Sequence, residues 1–520
     1  MSRAFWAGLA LCLGLGLALR GPGLALRPMH NDEGVNAMKF RALYVNNSYK
    51  YNPDEFHGPT LPYFTLPAAW LQGGGDYNRF SEPAYRAVTV AFGLGLILLL
   101  ALLARDLGRS EMLWAAAFTS LSPAMVFYSR YYIHEMLLVF FSAWTFICAW
   151  RCANSGRALW AVAGGIGLAL MYATKETFVL PVAAMALAVG TAAAWKRWRE
   201  SEAPAFQPRW KWPHLAMALA AALVAAVLFF SSFFTNASGL VDAVRTYLPW
   251  LRRAGGGATP HVHPWWFYFE RLLWFHTRDG PFWSEGFVAA LALAGFFGAC
   301  RGRAVLPRVI AFYTFWLTLF YTLLPYKTPW CLLGFYHGAI LLAGAGAAML
   351  WRACRGAALK AILALVLAAG LCHLGWQSWL GNFAMDSRGV PYCVSTKNPY
   401  VYSQTLPDVT RLVNTVEAIA RVSPQGDATE MEVIAPESYW PLPWYLRRMK
   451  SVGYWDKIPN QPLAPIMIVS AGLHANFDER PVRTHLMAGY FALRPQVFLE
   501  LYVNTNLWGA YIKTLPPEKD

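Results

Sequence analysis

Apolar runs of roughly 16 to 22 residues recur along the chain to about residue 380, each long enough to cross a hydrocarbon layer of about 30 Å as a helix. They fall at 4–19, 83–104, 112–128, 133–150, 158–173, 177–195, 213–234, 281–300, 309–325, 331–351 and 359–380. Within lipid only a helix satisfies the backbone of an open chain, so these runs predict about eleven transmembrane helices. Composition agrees: 57% of the 520 residues are hydrophobic and 14% charged, with 24 Trp, more apolar surface than one soluble core can use. The first run reads either as a span or as a signal peptide, because Arg3 precedes it and small residues follow near Ala25. Either way residue 30 lies outside.

A net charge of +15 would in a soluble protein suggest nucleic acid, but here the basic residues collect in every second connection. Arg105 and Arg109, Arg151 and Arg157, Lys196 to Lys211, Arg301 to Arg308, and Arg352 to Lys360 mark cytoplasmic loops, because cationic loops are not readily translocated. This alternation accounts for the charge without nucleic acid and orients a multi-pass protein, whose expected location is the plasma (inner) membrane. The opposite connections lie outside, and they hold nearly all the unusual polar residues. Eight cysteines without a CxxC pair argue against a zinc site or disulfide framework.

From about residue 381 the apolar runs shorten and Pro and Asn punctuate them, so the chain divides into a membrane domain, 1–380, and an extracytoplasmic α/β domain, 381–520. Val409, Leu412, Val413, Val416, Ile419 and Ala420 predict an amphipathic helix over 406–422. Runs at 431–435, 464–470 and 497–503 predict strands. Between them Trp440 to Arg447 reads equally as a docking surface or as domain core.

Five polar clusters carry the candidate chemistry. Asp32 and Glu33 follow the first run. In the same loop stands Asp54 to Pro59, including His57, before an aromatic interfacial helix from Leu61 to Trp70. A turn beside the membrane carries Arg130, His134 and Glu135, and Lys175 with Glu176 interrupts two apolar runs. Lys327 lies in a turn fixed by Pro325 and Pro329. Each also has a plain structural reading: a solvated acidic loop, an Arg130–Glu135 pair, or a lysine snorkelling to the interface. His261 and His263 supply two ligands where a metal site needs more, so a divalent metal requirement stays open. Acids and cations on one face suit transfer from an anionic lipid-linked donor. A carboxylate would deprotonate an acceptor hydroxyl while cations hold the departing phosphate, which needs no strong general acid.

The stretches His30 to Ala37, His57-Gly58-Pro59, Tyr128 to Met136, Lys175-Glu176, Lys327 to Trp330 and Trp440 to Arg447 resemble those of GT-C glycosyltransferases. More narrowly, the chain resembles the prokaryotic flippase activity-associated proteins, relatives of the dolichyl-phosphate-mannose protein mannosyltransferases. The resemblance implies an all-α polytopic GT-C-like membrane domain; the small α/β domain read after it is a departure, a tail that the mannosyltransferases do not share in this form. It implies that Asp32 is the catalytic carboxylate supported by Glu33 and Glu135, and that Arg130 and Lys175 contact the donor phosphate. His57, His134 and Lys327 join the expected substrate-binding set, with His134 standing where relatives often carry Arg. The donor would be a polyprenyl-phosphate sugar taken from membrane lipid, and the acceptor a glycan, lipid or protein. The family's name keeps a non-enzymatic flippase-associated or lipid-linked-glycan-binding role as the alternative.

Overall fold

The computed structural model describes residues 2–55, 57–72, 75–199, 207–255, 261–460, 463–479, 481 and 483–516. Among these, eight helices are long and apolar enough to cross a membrane: Arg3–Arg20, Glu82–Leu103, Glu135–Ser155, Glu176–Arg199, Trp212–Phe230, Val305–Leu323, Pro329–Ala353 and Ala357–Phe383. Two shorter apolar helices, Ala158–Tyr172 and Gly286–Arg301, join them. Trp212–Phe230 has only 6% of its most apolar window buried, so its surface is made for lipid. This is a multi-pass membrane protein.

The expected run 112–128 departs from a single helix. It divides into Arg109–Leu121 and Pro123–Ser129, because Pro123 has no N–H to continue the first helix. The break is capped from two sides: Ser122 Oγ accepts from the Met125 N–H (3.2 Å), and buried Glu285 accepts from the Ala124 N–H (2.9 Å). Tyr336 and Tyr400 hydroxyls donate to the same carboxylate, at 2.5 and 2.7 Å.

The chain forms two compact units. One comprises Met1–Leu24, Ala42–Gly73 and Pro83–Tyr402; the other comprises Ala25–Arg41, Gly74–Glu82 and Ser403–Asp520. The boundary expected at 380–381 falls inside the helix Ala357–Phe383, and two stretches from the first long loop join the C-terminal unit.

In the second unit a five-stranded sheet runs in the order β2-β1-β3-β5-β4, with β1 Met431–Ile434, β2 Val452–Trp455, β3 Ile466–Ser470, β4 His485–Arg494 and β5 Val497–Asn504. β1 pairs in parallel with β2 and β3, whereas β5 pairs antiparallel with β3 and β4. The helix Asp408–Val422 lays its apolar stripe on one sheet face, burying the six residues named for it. Leu442, Trp444 and Leu446 are buried in the same unit, so the aromatic segment is core. β2 and β4 went unforeseen: β2 is four half-exposed residues, and β4 changes register at Met487/Gly489, which breaks its alternation.

Candidate active site

In the helical unit, the segment 57–60 lies against 173–175 like a short strand pair. His57 bridges Lys175, the Gly58 N–H donates to Thr174 O (3.1 Å), and the Thr60 N–H donates to Ala173 O (3.1 Å). A Cβ on Gly58 would lie 2.0 Å from Ala173 O, so only glycine allows this crossing. Gly58→Ala is therefore expected to cost about 1–3 kcal/mol of overpacking, read as a lower unfolding temperature of the purified protein. An unchanged melting curve would disprove the crossing.

The crossing delivers Lys175 to Glu135. Their ion pair is buried, with side chains 8% and 7% exposed, and Glu135 opens the helix Glu135–Ser155, where the helix dipole favours an anion. Burial works to discharge the Lys175 ammonium, but Glu135 beside it outweighs that and raises its pKa well above the ordinary value. Lys175 is therefore a fixed cation and not a proton donor. Two imidazoles close the site. His134 Nε2 lies 3.3 Å from Gly58 O, its ring is 4.8 Å from the His57 ring, and His57 Nδ1 lies 3.5 Å from Glu176 Oε2. A small cavity opens on Glu135 and Lys175, lined also by Thr177, Tyr321, Trp330 and Cys331.

Arg130 and Lys327 make other contacts. The Arg130 guanidinium donates to the carbonyls of Leu19, Arg20, Pro22 and Gly23 at 2.6–3.3 Å, at the end of Arg3–Arg20, and lies 4.7 Å from the Phe383 ring. Reciprocally, Arg20 donates to the carbonyls of Thr119 and Ser120 at the end of Arg109–Leu121 and to Ser129 Oγ. Arg130 thus serves carbonyls at and just beyond the end of Arg3–Arg20, and Arg20 serves those at the end of Arg109–Leu121. Lys327 donates to Leu324 O and, at 3.3 Å, to His263 O. It anchors the loop in which His261 Nδ1 lies 2.7 Å and His263 Nε2 3.3 Å from Tyr402 Oη.

Burial, then Arg271, His261 and Lys327, hold His263 down from 6.5 to about 4. A depressed imidazole favours the folded state fully above its unfolded pKa, and that contribution is lost as pH falls through the folded one. The parent is therefore expected to lose stability between about pH 6.5 and pH 4 relative to His263→Phe, measured by thermal unfolding across that range. Parallel curves for the two proteins would disprove the assignment.

Asp32 and Glu33 belong to the second unit, and their environments differ. Glu33 is fully buried, 3.3 Å from Arg27, and accepts from the His30 N–H at 2.9 Å. The His30 imidazole accepts from the Asp32 N–H at 3.1 Å. Together these make a capping box at the start of Asn31–Asn46, with imidazole where Ser or Thr is usual. Asp32 keeps its carboxylate 38% exposed. The structural parts of Arg27 and His30 were not foreseen, although the His-x-x-Glu spacing at a helix start was the available signal. Among the described residues no three His, Cys, Asp or Glu side chains cluster as metal ligands.

Residues 59–240 match the family model described as dolichyl-phosphate-mannose-protein mannosyltransferase, a stretch containing Arg130, His134, Glu135 and Lys175. Over nearly the whole chain the fold matches ArnT from Cupriavidus metallidurans bound to undecaprenyl phosphate, at 15% identity and a TM-score of 0.63, covering 97% of this chain and 99% of that one. The chain has the GT-C fold, and its residues 59–240 are similar to the protein mannosyltransferases. A second GT-C structure, the Archaeoglobus fulgidus oligosaccharyltransferase tethered to an acceptor peptide, matches at 12% identity and a TM-score of 0.54 over 87% of this chain. The present chain spans 64% of that protein's length. No curated protein sequence matches the chain.

Proposed function

We propose that the protein is a membrane glycosyltransferase that moves a sugar from a polyprenyl-phosphate donor to an acceptor hydroxyl, inverting the anomeric centre. One observation carries the reading: of two adjacent acids, Glu33 is locked into the helix cap while Asp32 stands open. Asp32 takes the proton of the acceptor hydroxyl, whose oxygen bonds to the anomeric carbon as the bond to the phosphate oxygen breaks; polyprenyl phosphate leaves with that electron pair. Lys175, held charged by Glu135, stabilises the phosphate. His57, His134 and Glu176 fix the segment that carries Lys175, and Lys327 and Arg130 serve as scaffold. The undecaprenyl phosphate in the ArnT structure, and the dolichol-phosphate in complex with the archaeal AglB, support a polyprenyl-phosphate lipid. The alternation of basic connections supports a plasma-membrane protein with these residues and the C-terminal unit outside.

The test is release of undecaprenyl phosphate from a panel of radiolabelled undecaprenyl-phosphate hexoses by the purified protein in nanodiscs. Release accompanied by sugar transfer is expected. Tight binding of the lipid without release from any donor would overturn the enzyme and leave a lipid-linked-glycan-binding protein.

A further inference from the structure

The C-terminal unit is not built from the C-terminal residues alone. It includes 25–41, the stretch that carries Asp32, and 74–82. The contacts that unite these pieces converge on the few residues before and inside the capped helix. Gln404 Nε2 donates to Pro28 O at 3.0 Å, and the Met29 N–H donates to Tyr445 Oη at 2.9 Å. Both bonds grip the backbone immediately before the His30 cap. One turn into the helix, a Cβ on Gly34 would lie 2.7 Å from Pro441 Cβ, so helix and loop are in closest approach there. Further along, the Tyr77 hydroxyl donates to Ala37 O at 2.7 Å, while Arg447 donates to the carbonyls of Asn78 and Phe80, at 3.3 and 2.8 Å.

We infer that Gln404 and Tyr445 are positioning residues that, within the C-terminal unit, aim Asp32. The inference rests on the proposed role of Asp32 as the base. Its physical basis is that the Asp32 carboxylate, 38% exposed, lies 3.9 Å from Nδ1 of the buried His30 two residues before it, and that His30, Glu33 and the preceding backbone are themselves fixed. The direction of the Asp32 carboxylate is thus inherited from the backbone, and the backbone is held by two side chains more than 370 positions later, Gln404 to Pro28 and Tyr445 to Met29 (separations of 376 and 416). Neither side chain need touch substrate. A misplacement of the base by about 1 Å is enough to cost about 10²-fold in rate.

The test uses the full-length protein in nanodiscs with Tyr445→Phe, which removes one hydroxyl and keeps the ring, Gln404→Leu, and the double variant. With undecaprenyl-phosphate hexose as the probe, kcat is expected to fall by about tenfold or more in the double variant, with KM within about twofold of the parent. Hydrogen exchange should quicken in the peptide covering 29–37 and stay at the parent rate in Asp408–Val422. Parent kcat together with parent exchange in both single variants would overturn the inference, as would a loss of kcat with no change in exchange over 29–37. Should the double variant fail to fold, Tyr445→Phe alone decides between these outcomes. Should the parent release no undecaprenyl phosphate, the proposed function falls, and exchange over 29–37 by itself decides whether the clamp exists.

Discussion

Asp32→Asn is expected to slow release of undecaprenyl phosphate by about 10²–10⁴-fold while binding of the lipid stays at the parent level, because the amide keeps the shape and loses the base. Glu33→Gln should behave differently. Glu33 is buried against Arg27 and accepts from the His30 N–H, so the amide removes the charge from that pair and weakens the helix cap. The expected result is a lower unfolding temperature, with kcat falling less than in Asp32→Asn. Comparing the two variants by melting curve and by turnover separates the reactive acid from the structural one. Equal turnover in Asp32→Asn and the parent would remove Asp32 from the reaction.

The second large effect concerns the buried ion pair. Lys175→Met leaves the Glu135 carboxylate in a buried site without its cation, and breaking such a pair from one side costs about 3–5 kcal/mol. The double change Lys175→Met with Glu135→Leu removes both charges, and apolar replacement of a buried pair is about neutral in stability. The double variant is therefore expected to melt near the parent and yet to have lost affinity for undecaprenyl phosphate, measured by titration in nanodiscs. Recovery of binding together with stability would make the pair purely structural and leave the phosphate to another cation.

Much of the architecture could be read from sequence because its causes are local. A run of lipid-length hydrophobicity needs no partner to be recognised, and the stripe from Val409 to Ala420 identifies its own buried face. The break at Pro123 was also written locally, in a serine followed by a proline, but hydropathy averages across it. The site was legible in its residue types and not in its pairings. Asp32 and Glu33 look alike as neighbours, and what distinguishes them is Arg27 six residues away together with a backbone N–H. Arg130 and Lys175 both read as cations at a membrane edge, yet one meets helix-end carbonyls and the other a carboxylate. Such choices depend on which chain segments meet, and hydrophobic periodicity says nothing about that. The extension of the C-terminal unit into 25–41 escaped for the same reason: its contacts join residues hundreds of positions apart.

The exchange between Arg20 and Arg130 bears on how the protein is made. Until residue 130 has left the ribosome, four carbonyls at and just beyond the close of the first helix have no guanidinium to receive them, and until 119 and 120 have left it Arg20 lacks those acceptors. A naked helix end and a bare cation are both costly in hydrocarbon, so the nascent helix must wait with that end in the hydrated headgroup layer. The first membrane segment thus settles to its final depth only once the third has been synthesised, which ties the timing of its insertion to translation.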